Sequence, residues 1–344
     1  MAISTASYSS SAFKIAIAEQ DVFGTITASG GNAYHALDVD SISSPSLNLI
    51  QALDVRSGSR VLQTTDFFHS SRGSIAEISV SGTATTAALD MLLENMMSEA
   101  EGSASGVYSF LSNASAQSVG SGDGASSALV GKLLSIAMIS PISAMDLGFK
   151  DCVVTALSLS GDAGTEGGRI KFSATFKTGS VVDHTQVTAV GAVDTAFTAA
   201  SENYSMNSWT AGYRQLVGVA DLVMSSFTLN LTNDANFLGL VSAGYETISR
   251  SGEFSATLDA TVKYDDKVQA FFENFADQVT GASEGATFLN NDSALTDANF
   301  GISMPASVMT NVAFNEQAMM MLDVSIKAVG AGVGSSTALV EVAC

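Results

Sequence analysis

Residues 252–279 change their hydrophobic period once, and a fainter copy of the same change in the first half of the chain constrains the fold more than any other feature. Phe254, Ala256, Leu258, Ala260 and Val262 alternate with Glu253, Ser255, Thr257, Asp259 and Thr261, the period-two pattern of a half-buried strand. After Asp265, a residue suited to an N-cap, Val268, Phe271, Phe272, Phe275 and Val279 form one apolar stripe of helical period. A shift of 179 positions carries that stripe onto Leu89, Leu92, Leu93, Met96 and Ala100, and Gly252 onto Gly73. Matching the two strands needs a shift one residue different from the helices, which predicts a bulge or a turn of different length.

The closing strands repeat as well. Val153, Thr155, Leu157 and Leu159 precede a Gly-rich turn at 161–168, after which Ile170, Phe172, Ala174 and Phe176 face inward and Lys171, Ser173, Thr175 and Lys177 outward. In the second half Val308, Thr310, Val312 and Phe314 precede Leu322, Val324, Ile326 and Ala328, now at a shift of 155. The smaller shift places about 24 extra residues in the middle of the first unit, at the Ser/Gly-rich stretch 112–127 and its flanks. That stretch reads as an exposed loop, with a shorter counterpart at 281–297. The expected organisation is an N-terminal arm (1–12), a first β-rich unit (13–180), a linker (181–207) and a second unit (208–344), each unit carrying one helix on its sheet.

Within the first unit, strands are expected at 13–18, within 38–49 with Pro45 at an edge or a strand start, from Gly73 through Ala76, Ile78 and Val80, and at 133–139. A helix is expected over about 86–99, and a polar hairpin over 53–73. Of 344 residues, 46% are apolar and 14% charged, which excludes disorder for most of the chain.

The formal net charge of −20 opposes tight binding to a phosphate backbone, whose affinity rests on Lys and Arg. A surface that must touch DNA without holding it would want this balance, and solubility is the plainer reading. Only Cys152 and Cys344 are present, so no disulfide framework is implied, and Cys152 reads as a small buried hydrophobe. Residues 1–20 lack the apolar core of a signal peptide, and no run reaches the roughly 18 apolar residues of a membrane-spanning helix.

His35, His69 and His184 lie far apart without zinc-type spacing, Asp183-His184 has no nucleophile elbow, and 120–124 lacks the spaced carboxylates of a calcium loop. No Walker-type phosphate loop exists. No catalytic residue, metal or cofactor is therefore expected. Asn113, Asn203, Asn230 and Asn291 begin N-x-[ST] sequons, which chance supplies in so Ser/Thr-rich a chain. Met319, Met320 and Met321 are expected in the core, with an interface patch as the other reading.

With this two-unit pattern laid out, the sequence resembles the duplicated tail tube proteins of long-tailed bacteriophages. Residues 16–25, AIAEQDVFGT, resemble the family's opening, a Glu followed by aromatic-Gly-Thr. Residues 71–73 before a strand, then 89–94 (LDMLLE), resemble its glycine, strand and helix block. Residues 149–159 and 168–179 resemble its paired strands, and 225–275 the second copy.

The resemblance implies two tandem β-sandwich domains, each with one flanking helix. It also implies a structural virion protein without enzymatic activity, three copies forming a pseudo-sixfold ring, and rings stacked into a hollow tube that conducts DNA. Partners would be other copies of the chain, other tail proteins at the tube ends and DNA in transit, with no membrane; the location would be the virion tail, after assembly in the host cytoplasm. Glu77, Ser79, Glu253, Thr257 and Asp259 are the candidates for the bore, with an ordinary solvent face as the other reading, and Arg56, Arg60, Arg72 and Arg250 mark candidate loops between rings, within 53–73 and 233–251, with a solvated hairpin as the other reading. The rival reading is a surface adhesin of tandem β-sandwich modules, against which the missing export signal and the helix inside each repeat both count.

Overall fold

In a computed structural model of the chain, the described residues are 13–20, 34–43, 46–53, 67–97, 106–111, 133–139, 147–178, 204–241, 244–250, 253–278, 285–296, 299–316, 319–330 and 338–344. The arm 1–12, the loop 112–127, most of the linker, Pro45, Arg56, Arg60 and His184 lie outside them.

The first half holds β1 (Lys14–Glu19), β2 (His35–Ala36), β3 (Val39–Ile42), β4 (Ser46–Leu53), β5 (Phe67–Thr83), α1 (Thr86–Met96), β6 (Val107–Leu111), β7 (Leu134–Ile139), β8 (Leu147–Asp162) and β9 (Lys171–Thr178). The second holds β10 (Arg214–Gln215), β11 (Met224–Thr232), β12 (Ala235–Val241), β13 (Gly244–Arg250), β14 (Ser255–Lys263), α2 (Val268–Gln278), β15 (Gly285–Leu289), β16 (Gly301–Glu316), β17 (Met320–Ala328) and β18 (Ala338–Ala343). The fold is β-rich: one antiparallel 16-stranded sheet, a separate hairpin of β12 with β13, and two α-helices among the described residues.

The strand order of the first half, β1-β7-β8-β9-β5-β3, reappears as β10-β15-β16-β17-β14-β11. Its irregularities reappear too. The register between β3 and β5 slips between Val39 and Ser41, and that between β11 and β14 slips between Met224 and Ser226. The β8–β9 ladder slips between Val154 and Ala156, and the β16–β17 ladder between Met309 and Asn311, at the shift of 155 read from the sequence. A bulge bends its strand and re-aims the residues beyond it, so matching bulges give the two halves matching bends.

Two pairings join the halves. β11 runs antiparallel beside the late half of β8, and β18 lies between β16 and β6. A large apolar cluster spans both halves, from Ile15, Leu92 and Phe149 to Leu229, Phe271 and Val340. Its strand contributions are the expected ones: Phe172, Ala174 and Phe176, and Phe254, Ala256, Leu258, Ala260 and Val262, are all buried.

Four expectations need correction. β5 begins at Phe67, well before Gly73, because it continues as the partner of β4 through the expected polar hairpin. α1 ends at Met96, short of Glu99. Within 281–297, read as a loop, β15 forms and buries Thr287 and Leu289 by pairing with β16. Finally, Met319 and Met320 are exposed and only Met321 is buried, because Met319 lies in the turn before β17 and Met320 is its first residue, opposite the end of β16.

Candidate functional surface: a polar sheet face with two open edges

Eight strands form one continuous run, β3-β5-β9-β8-β11-β14-β17-β16. One face of this run is the buried cluster just described. On the other, rows of short polar side chains cross the sheet from strand to strand. One row is Ser41, Ser81, Ser173, Ser158, Asn230, Thr257 and Lys327. Another is Lys171, Ser160, Thr228, Asp259 and Ser325. Alternation along every strand forces this separation, since each residue facing the core is followed by one facing away.

Hydroxyls and amides on the polar face bond to one another. Ser41 and Ser81 hydroxyls lie 2.7 Å apart, Ser79 and Thr175 3.1 Å, and the Ser158 hydroxyl donates to the Asn230 side chain at 2.8 Å. The Thr261 hydroxyl and the Asn315 amide both donate to the Asp323 carboxylate, at 2.8 and 2.9 Å. Such pairing leaves few free donors to grip an anion.

The structure brings four of the five bore candidates onto this one face, and Glu253 lies outside its ladders. Glu77 and Ser79 lie on β5, opposite Lys177 and Thr175 of β9. Thr257 and Asp259 lie on β14, with Glu253 just before it, and β9, β8 and β11 separate the two groups. Cations share the face: Lys171 and Lys177, read as outward-facing from the sequence, and Lys263 and Lys327 occupy the same alternation. Lys171 pairs with Asp40 at 3.1 Å, and Lys177 with Asp234 at 2.5 Å, which holds the Asp234 carboxyl below its ordinary range.

Of the inter-ring candidates, Arg72 lies within β5 and Arg250 ends β13, at the root of the β12–β13 hairpin. The Arg250 guanidinium turns inward. It donates to the carbonyls of Val154, Asn233 and Asn95, each at 2.6 Å, and burial pushes its pKa down to about 9 against the opposing pull of Asp234. Val154 borders the β8 bulge and Asn95 is in the last turn of α1, so the cation serves a helix C-terminus and a broken ladder together. Its head group is thus engaged inside the chain.

The polar face ends in two open edges. Among the described residues, β3 pairs only with β5, and residues 308–316 of β16 pair only with β17. Beside the second edge lies an apolar patch. Asp265 accepts from the Lys267 N–H at 3.1 Å in the turn before α2, two residues ahead of the N-cap position, and Phe271 is buried. Phe272 and Phe275, of the same apolar stripe, are exposed, and the rings of Phe272 and Tyr264 both lie beside that of the exposed Phe314, at 5.6 and 5.7 Å.

Neither a cluster of three potential metal ligands nor a membrane-length apolar helix occurs among the described residues. Among curated proteins no match to the sequence is found. Among protein families, residues 11–328 match the one described as phage tail tube protein.

Proposed function

The chain belongs to the phage tail tube protein family, and we propose that it is the structural subunit that closes into rings and stacks into the tube through which DNA leaves the virion. In this reading each half of the chain is one tube module, and three copies supply six modules to a ring of pseudo-sixfold symmetry. The observation that carries the reading is the recurrence of one strand order, with the same bulges, in both halves of a sheet that ends in open edges. An open edge is a standing invitation to further strand pairing. A heterologous interface built from unlike edges either closes a ring or runs on as a filament.

The polar face of the eight-stranded run is then the wall of the bore. Its short hydroxyls, already bonded to one another, and the pairing of Lys171 and Lys177 with carboxylates suit a surface that DNA passes without stopping. The β4–β5 hairpin, whose second strand runs on to α1, and the β12–β13 hairpin, just before β14 and α2, are the parts that reach the next ring. The chain acts as scaffold, with no cofactor.

Negative-stain microscopy of the concentrated purified chain tests the reading. Rings or hollow tubes with a central channel are the expected result. Dispersed monomers at all concentrations would overturn it.

A further inference from the structure

We infer that the late half of β16 and the outer face of α2 form the docking surface for β3 of a second copy of this chain, in the register that β11 already takes on β8. The inference rests on the tube reading above and names the surfaces that would close the ring. Its starting point is a contrast between matched positions. Leu159, Leu93 and Met96 of the first half are 0, 0 and 1% exposed, whereas their counterparts Phe314, Phe272 and Phe275 are 52, 37 and 38% exposed. Thr85, matching Tyr264, is buried as well.

Besides β1 and β2, which lie against α1, the second half of the same chain covers the first set. β11 lies along the edge of β8 that carries Leu159. The Tyr204 hydroxyl lies 2.9 Å from that of Thr86, the Asn233 amide donates to the Met96 carbonyl at 2.8 Å, and Arg250 caps Asn95. At the other end of the sheet the same helix face and strand edge recur with no cover among the described residues. Three large aromatics left in contact with water are an unfavourable arrangement for a free surface and an ordinary one for an interface core.

The matching cover is the strand equivalent to β11, and that strand is β3, at the opposite end of the run. It has its own open side. The Ser43 N–H donates to the Ser79 carbonyl at 2.9 Å, toward β5, so the backbone groups of Ile42 point away from β5. Within the chain, the Ala163 N–H donates to the Ser225 carbonyl at 2.8 Å, which makes Gly161 with Phe227 a hydrogen-bonded pair and Ser160 with Thr228 a non-bonded one. Carried over by the matched bulges, this register sets Ile42 against Glu316 as the bonded pair and Ser43 against Asn315 as the non-bonded pair. The side chains of Ser43 and Asn315 then meet on the polar face, and Phe314 and the α2 aromatics are covered on the other.

The test is a disulfide trap in the full chain carrying Ser43→Cys and Asn315→Cys. Cα atoms of a non-bonded antiparallel pair lie about 4.5 Å apart, within disulfide reach, and the two native cysteines are buried. Oxidation of assembled protein is expected to give covalent dimers and closed trimers, while either single variant stays monomeric on a denaturing gel. A second variant, Phe272→Asp with Phe314→Asp, is expected to keep its far-UV spectrum and melting temperature but to form no rings.

Rings without cross-links in the double-cysteine chain, or rings formed by the aspartate variant, would overturn this docking surface and leave the tube reading standing. Dimers formed by Asn315→Cys alone would show two acceptor edges meeting symmetrically, and would overturn it also. If the unaltered chain forms no rings, the tube reading fails and this inference with it.

Discussion

Arg250 brings a charge into the interior and finds carbonyl oxygens that nothing else could satisfy as well. A bulge and a helix end both leave backbone acceptors without ladder partners, and a forked guanidinium reaches several at once. Arg250→Ala is therefore expected to lower stability by on the order of 3 kcal/mol, because buried acceptors are left unpaired; Arg250→Lys should recover less than half, as read from urea unfolding midpoints. Gly82 is a second sensitive position: a Cβ there would come within 1.9 Å of the Asp38 carbonyl, part of the backbone leading into β3. Gly82→Ala should cost about 1–3 kcal/mol by overpacking, and ring yield should fall more steeply than stability, since β3 is the strand displaced.

Asp234 supplies the pH dependence. Its carboxyl is held below the ordinary 3.8 by the hydrogen bond from Lys177, so it contributes stability that is present above that value and lost as acid titrates the folded state below it. Asp234→Asn should flatten the loss of stability on acidification below about pH 4, measured by thermal melts. The buried faces flanking these residues were legible from alternation alone. The role of Arg250 was not, because its acceptors are backbone atoms, and the Asn95 carbonyl lies 155 positions away.

Among the elements, the two helices carry the sharpest contrast. Both were legible from the change of period, and both form. Periodicity reports which residues share a face and says nothing about whether a cover exists, so the stripe did not reveal that Phe271 is buried while Phe272 and Phe275 are exposed. Leu93→Ala in α1 should cost about 2–5 kcal/mol, whereas Phe272→Ala in α2 should change the stability of the unassembled chain by under about 1 kcal/mol and reduce assembly instead. β15 was missed because Gly285, Ala286 and Thr287 read as loop composition, and only its partner β16 supplies the reason to extend.

Across the polar face, Asp259 shares the surface with Lys263 and Lys327, and Glu253 lies just before β14. Neutralising both acids, as Glu253→Gln with Asp259→Asn, should leave tubes intact and slow DNA ejection, since the lysines would then meet phosphate unopposed. The slowing should fade as salt is raised.

At the scale of the whole molecule, each chain carries a formal charge of −20, and copies that must meet repel one another. Raising ionic strength from low to physiological shortens the screening length to about 8 Å, so assembly followed by sedimentation should increase with salt over that range. The helix in each half and the shift of 155 were legible, because hydrophobic period survives when residue identity does not. The pairing of β18 with β6 across the halves was not, since a short apolar strand carries no mark of its partner.

The seam between β8 and β11 sits inside one polypeptide, and its consequence is arithmetical. Every second seam around a closed circle would be made at synthesis, with no encounter in solution and no dependence on concentration. Circles could then hold only an even count of modules, so the five- and seven-fold miscounts open to an unfused subunit would be out of reach.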